Sequence, residues 1–480
     1  MVSIKNKAVK SFNWILVEGF SSQLITFIIG IILARILSPA DFGLVGLITV
    51  FIVISNSITD SGLSNALIRK LDASNTDYST VFFVNICSAI IIYILLFFLA
   101  PLISVFFEEP LLKNLIRVST LVIIINSFVI IQRTLLIKKL NFKVQSIISF
   151  ISSISSGLVA LFMVFNNYGI WSLVFLTLSK QFVNCILLWF SSKWRPFFIF
   201  SKSSFKELFN YGYKLLIANL INTIYQNIYY IVIGKFFSTT TLGLFTRADG
   251  FQKPFSSNIA SGINRVSFPV LSEFQNDDVQ LKNKFKRFLR FSILLSSAVL
   301  FFILGIAKPL VLILIGEKWY ASIYYLKLLC IPGVLYPLQV LNINLLRVKG
   351  FSDLNLKLEI IKKFILIPTL FIIAFLGIEA LLYGLIVFSI VEFFINSRYT
   401  YRLINYSVRE QLKDIYPFLI IGLGSSILLS TVMLLKINFY MTICIQTFLA
   451  FCYYYYLIST SRIVEFKEIK SIINKFIKLI

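Results

Sequence analysis

Apolar residues in this chain fall into long runs separated by short polar breaks. A helix needs about 20 consecutive apolar residues to cross the hydrocarbon core of a bilayer. Counting such runs predicts about fourteen spans, at roughly 12–34, 40–60, 79–104, 112–133, 145–166, 169–191, 211–235, 244–268, 288–307, 321–346, 357–376, 379–397, 414–435 and 438–459. The eighth is interrupted by Gly250, Pro254 and Gly262. A membrane β-barrel would show short alternating strands instead. The expected fold class is therefore an all-α polytopic membrane protein.

Charge is distributed unevenly between the breaks. Even-numbered connections carry Arg69-Lys70, then Lys138, Lys139 and Lys143, then Lys193, Arg195, Lys202 and Lys206. They continue with Lys282, Lys284, Lys286 and Arg287, with Lys349, Lys357, Lys362 and Lys363, and with Arg402, Arg409 and Lys413. Odd-numbered connections such as Asn166-Asn167-Tyr168 are short and poor in cations. Cation-rich loops stay on the cytoplasmic side, so this alternation places both termini in the cytoplasm. The basic start MVSIKNKAVKSFNW leads into an apolar run with no small-residue cleavage site, which reads as a retained first span.

Two stretches separated by 200 positions share a register. Arg35, Ser38, Gly43 and Leu44 meet Lys235, Ser238, Gly243 and Leu244, and Phe51, Ser57, Ser61 and Gly62 meet Phe251, Ser257, Ser261 and Gly262. After small insertions Pro101-Leu102 meets Pro309-Leu310. The chain thus reads as a six-helix lobe over 1–206, a second over 207–410, and two further helices with a basic tail over 411–480. Parallel repeats of this kind are a transporter architecture with the substrate site between the halves, here a central cavity.

Composition narrows the function classes. The 480 residues are 58% apolar and 14% charged, against about a quarter charged in soluble proteins. The net charge of +24 sits in short loops, where it orients helices and implies no nucleic-acid partner. Histidine is absent, which removes imidazole catalysis and the commonest metal ligand. Cys87, Cys185, Cys330, Cys444 and Cys452 are scattered through apolar runs without metal-like spacing. No GxxxxGK[ST] phosphate loop occurs. No cofactor, metal or enzymatic activity is expected.

Polar groups inside the spans either join helices to one another or face an aqueous path. Glu18, Ser22 and Thr26 share one face of span 1, and Ala218, Asn222 and Gln226 hold the equivalent face of span 7, with Asn219 and Thr223 beside it. Span 2 carries Thr49, Asn56, Ser57, Asp60 and Ser64. In span 8, Arg247, Asn258, Ser261 and Arg265 lie within about 40° of one line if the helix stays regular. The burial cost of Glu18, Asp60, Arg247 and Arg265 favours a cavity for them. Arg35 and Lys235 lie at span ends, where long cations snorkel. Arg133 and Glu392 lie near cytoplasmic ends and receive no functional role.

The start SFNWILVEGFSSQLITFIIGIILARILSPADFGLVG, with DSGLSNALIRK after it, resembles the polysaccharide-transporter branch of the multidrug/oligosaccharidyl-lipid/polysaccharide exporter superfamily. TRADGFQKPFSSNIASGINRVSFPVLSEF looks like its second-half counterpart. The resemblance implies two bundles around a V-shaped cavity in a bacterial cytoplasmic membrane. It implies as substrate an oligosaccharide joined through pyrophosphate to a polyprenyl lipid, with other polysaccharide-assembly proteins as partners. In related flippases, cavity arginines on the first two helices of each lobe are implicated in holding the pyrophosphate. Arg247 and Arg265 are the nearest matches here, whereas the first lobe carries Glu18 and Asp60 instead. The candidate substrate-binding set is Arg247, Arg265, Asn222, Gln226 and Asn258. Glu18 and Asp60 are candidates for H⁺ or Na⁺ coupling, or for charge balance. A drug or cation antiporter of the same superfamily and a membrane enzyme of polysaccharide assembly are the alternatives.

Overall fold

The computed structural model describes residues 22–139, 141–460, 463, 465–467 and 470. Among the described residues the structure is helical, without strands. The chain divides into two compact units, Met1–Gly243 and Leu244–Ile480.

The first unit contains α1 (Ser22–Ile36), α2 (Pro39–Asp60), α3 (Leu63–Arg69), α4 (Asn75–Phe106), α5 (Leu111–Ser119), α6 (Leu121–Ser127), α7 (Ile130–Lys138), α8 (Phe142–Phe165), α9 (Trp171–Ser191) and α10 (Lys202–Phe236). Local chemistry sets several of these ends. Ser38 and Asp41 form a reciprocal capping box with Pro39 in the first turn of α2, and Ser74 and Asp77 do the same for α4. Helix α2 stops where Ser61 and Gly62 adopt left-handed backbone conformations. That turn lies close against α10, since a Cβ on Gly62 would collide with the Gly212 carbonyl. The repeat is broken here: Gly262, its counterpart, is an ordinary helical residue with open space where a Cβ would stand.

One core of this unit gathers Leu63, Leu67, Tyr78, Val81, Phe82, Ile131 and Leu208. Phe82 meets Phe128, Trp189 and Trp194 edge to face at centroid distances of 6.0, 6.1 and 5.8 Å. Near the unit's end, a Cβ on Gly43 would collide with the Thr239 carbonyl, and one on Gly243 with the Pro39 carbonyl.

The second unit contains most of α11 (Thr239–Glu273), then α12 (Asp278–Leu314), α13 (Tyr320–Val348), α14 (Ser352–Ala374), α15 (Ile378–Ile404), α16 (Val408–Thr431) and α17 (Phe439–Thr460). Helix α12 packs against α13, α16 and α17, and α13 against α15. Gly305 allows α12 to approach Ser426 and Leu429 of α16. Pro101 and Pro309 lie near the ends of their helices, α4 finishing at Phe106 and α12 at Leu314.

Within the described residues, each expected span coincides with a helix or helix group. Ten of these helices are long and apolar enough to cross a membrane, or eleven if Leu111–Ser127 and Ile130–Lys138, bent by 42°, form one span. A count of fourteen is therefore not established. Helix α1 is short over its described length, while α11 and α14 are too polar to qualify by composition. Those two are the helices that carry the chemistry described next.

Candidate functional site

Gly250, Pro254 and Gly262 do not break α11, which runs as one helix from Thr239 to Glu273. Its packed face is formed by Phe245, Ala248, Gln252, Ser256, Ile263 and Ser267. At 100° per residue this face lies opposite the line through Arg247, Asn258, Ser261 and Arg265. Asn258, Ser261 and Arg265 are exposed, and Arg247 is half-buried. The Arg247 guanidinium carbon sits 5.9 Å from the centroid of the Trp319 ring, a side chain that is itself fully buried. Asn258, Ser261 and Arg265 thus share an exposed face, whereas the Arg247 guanidinium on the same line is turned onto Trp319 with its Nε buried.

On α10 of the first unit, Asn222 and Gln226 are exposed, as is Asn219 on the same side. Thr223 beside them is half-buried, and its backbone carbonyl accepts from the Asn227 side chain at 2.8 Å. Exposure of Gln226, Asn258 and Arg265 argues against a role as glue between helices.

Other sequence-selected groups are held inside the first unit. Glu18 lies outside the described residues. Its face-mate Ser22 lies 3.1 Å, Oγ to Oγ, from Ser149 of α8. Asp60 accepts a hydrogen bond from the Ser64 hydroxyl and lies within electrostatic reach of Arg133. Arg133 also donates to Asn184 Oδ1 at 3.5 Å. Asn126 donates to Asn56 Oδ1 at 3.0 Å and accepts from Gln181 Nε2 at 2.6 Å, joining α2, α6 and α9. Lys235 donates to the Phe106 carbonyl at 2.7 Å and pairs with Glu108 at 3.1 Å. There it neutralises the carbonyl end of α4, in keeping with the end-anchor reading.

One reading from the sequence needs correction. Lys362 and Lys363, counted among the loop cations, are buried in α14, where Glu392, given no functional role, pairs with Lys362. Lys362 Nζ lies 2.5 Å from Glu359 Oε1 and 2.8 Å from Glu392 Oε1. It also donates to Asn396 Oδ1 at 3.3 Å. Lys363 Nζ lies 3.5 Å from Glu359 Oε2. The sequence does carry a signal for this cluster: Glu359/Lys362/Lys363 and Glu392/Asn396 are helical i, i+3 and i, i+4 pairs on consecutive helices. The positive-inside pattern masks it, because that pattern already accounts for the cations.

Comparison with known proteins agrees with this architecture. The family model described as "Polysaccharide biosynthesis protein" matches residues 32–324. The teichuronic acid biosynthesis protein TuaB of Bacillus subtilis (strain 168) is 25% identical over 356 residues, 74% of each chain. The lipopolysaccharide biosynthesis protein WzxC of Escherichia coli (strain K12) is 25% identical over 388 residues, covering 77% of this chain and 76% of that one. Among solved structures, the lipid II flippase MurJ in an inward closed conformation superposes with a TM-score of 0.69 at 14% identity, covering 91% of this chain and 97% of that one. An inward-facing multidrug resistance transporter of the MATE family superposes with a TM-score of 0.63 at 15% identity, over 81% and 96%. These likenesses establish a multi-pass transporter fold. Because its model spans more than half of the sequence, the chain belongs to the polysaccharide biosynthesis protein family, in line with the resemblance carried by its ARILSPADFG and TRADGFQKPF segments.

Proposed function

We propose that this protein is a flippase that moves a polyprenyl-pyrophosphate-linked oligosaccharide between the leaflets of a bacterial cytoplasmic membrane by alternating access. The observation that carries this reading is the α11 stripe of Arg247, Asn258, Ser261 and Arg265, opposite the packed face of that helix. Guanidinium groups present a planar fork of donors that matches pyrophosphate oxyanions. Asn222, Gln226 and Asn258 supply neutral donors and acceptors suited to sugar hydroxyls. The polyprenyl tail needs no polar partner and stays in lipid. Membership of a polysaccharide family and a relative named as a succinoglycan biosynthesis transport protein, ExoT of Rhizobium meliloti (strain 1021), support transport over catalysis.

In this reading residues 1–206 and 207–410 are the two working repeats, 411–480 an appended pair of helices, and both termini are cytoplasmic. Asp60 accepts from Ser64 and lies within electrostatic reach of Arg133 inside the first unit, which suits it to charge balance. A drug or cation antiporter would want carboxylates along the α11 stripe, where this chain has arginines. The test is Arg265→Glu. Reversing an exposed charge should leave the amount of folded protein unchanged while abolishing appearance of lipid-linked glycan on the outer leaflet of vesicles. Full flipping by that variant would overturn the pyrophosphate role.

A further inference from the structure

Four apolar residues in a row, Phe197, Phe198, Ile199 and Phe200, stand in the connection between α9 and α10 and not inside a helix. The fold pins this stretch at both ends. The backbone N–H groups of Phe197 and Ser201 donate to Ser79 Oγ at 3.1 Å and Thr80 Oγ1 at 3.0 Å, two fully buried side chains in the second turn of α4. Between the pins, the Ile199 N–H donates to the Phe197 carbonyl at 2.7 Å and closes a three-residue turn. Upstream, Trp194 meets Tyr78 and Phe82 at ring-centroid distances of 6.3 and 5.8 Å. Arg195 folds back on the end of α9, donating to the Ser192, Trp194 and Trp189 carbonyls at 2.6, 2.9 and 3.1 Å.

The backbone is therefore held, yet all four apolar side chains are exposed. The Phe198 ring runs beside Phe83 at 5.6 Å between centroids and is still 96% exposed. A contiguous apolar patch rimmed by polar residues marks a protein or membrane interaction site. Charge and position favour the membrane. Lys193, Lys202 and Lys206 flank the patch, all exposed, and no acidic side chain pairs with them among the described residues. Glu207, next in the chain, is taken by Lys70 at 2.9 Å. Arg69, over the Tyr211 ring of α10 at 4.4 Å, and Lys138, donating to the Lys70 carbonyl, bring further cations to the same end. Helix α9, which leads into the patch, is long and apolar enough to cross a membrane, and Phe190 in its last turn is exposed. Aromatic rings and cations together at the end of a span match the headgroup layer, where rings reach the acyl boundary and ammonium groups meet phosphates.

We propose that residues 193–206 form a pinned wedge that binds anionic phospholipid at the cation-rich end of the first unit. Phe198, Ile199 and Phe200 enter the acyl boundary, Lys193, Lys202 and Lys206 hold headgroup phosphates, and Arg195 braces the loop from behind. The proposal rests on this loop and is independent of the flippase reading.

The experiment uses the full-length protein in phosphatidylcholine vesicles with about one lipid in five replaced by phosphatidylglycerol. Phe198→Trp places an indole at the tip, and its emission is read as the difference from wild type. Bromine on the acyl chains quenches indole that touches lipid. Brominated phosphatidylglycerol should quench about threefold more per mole than brominated phosphatidylcholine, because each cation near a negative headgroup adds attraction. That excess should shrink as NaCl is raised. Lys193→Gln, Lys202→Gln and Lys206→Gln together should abolish the excess and leave the quenching itself. Ile199→Trp is a second reporter. The proposal is overturned if both reporters are quenched by aqueous iodide and not by brominated lipid, if the two headgroups quench alike, or if the triple variant keeps the excess. Failure to recover either tryptophan variant folded would contradict the open tip and overturn it as well.

Discussion

Gly43 of α2 and Gly243 of α11 meet backbone to backbone, each lying against the first residue of the other's helix. A Cβ on Gly43 would strike the Thr239 carbonyl, and one on Gly243 the Pro39 carbonyl. The contact is self-complementary in the way a two-fold interface is, and it uses small residues for close backbone approach, as membrane helix pairs do. The offset of 200 positions seen in the sequence is therefore also a physical relationship. It explains why glycine stands at both positions.

Alanine at either position should destabilise the protein by about 1–3 kcal/mol, since backbone atoms must move to admit the methyl group. Gly250→Ala is the control. That residue is helical, with open space around it, and alanine there should be neutral or stabilising by up to about 1 kcal/mol. Thermal unfolding of the three variants in detergent makes the comparison. Equal melting temperatures for Gly43→Ala and Gly250→Ala would contradict the close approach.

Arg265 should respond to shape as well as to charge. Arg265→Gln removes charge-assisted bonds and should slow flipping by about tenfold or more, each 1.4 kcal/mol lost being a factor of about ten. Arg265→Lys keeps the charge without the fork and should fall between the two. Initial rates in vesicles test this, and both variants should melt with wild type because the residue is exposed.

The Asn56–Asn126–Gln181 chain is structural. Asn126→Ala strips a partner from two polar side chains at once and should cost about 1–2 kcal/mol. Replacing all three by leucine should cost less than the single change, because no partner is left unsatisfied. A triple variant less stable than Asn126→Ala would count against this account.

Lys70 ties the start of α4 to α10, at 3.3 Å from Asp77 and 2.9 Å from Glu207. Its hydrogen bond to Glu207 raises the ammonium above its ordinary 10.5. Stability from a raised lysine is complete below the unfolded-state value and is lost as pH climbs through the folded one. The difference between wild type and Lys70→Ala should therefore stay constant from neutrality to about pH 9 and shrink only above the ordinary value. The pair is partly exposed, so the difference should be about 1 kcal/mol or less and should weaken with salt. Unfolding measured across pH and NaCl concentration checks both statements.

The sequence by itself determined the element plan. Hydrophobic run length located the helices because lipid admits few other ways to satisfy a backbone, and the repeat register matched Gly43 to Gly243 as equivalent positions, without their contact. The α11 stripe was legible for the same reason, since helical periodicity survives Pro254 and Gly262 whether or not the partner helices are known. What only the tertiary structure decided was the fate of each polar group. Asn56 and Asp60 sit on one face in the sequence much as Asn258 and Arg265 do, yet the first pair is engaged by Asn126, Ser64 and Arg133 while the second is exposed. Lys362 reads as a loop cation in the sequence and is buried between Glu359 and Glu392 in the fold. A charge in an apolar helix must find a partner, but the partner stands on another helix, and one-dimensional periodicity carries no record of which helices become neighbours.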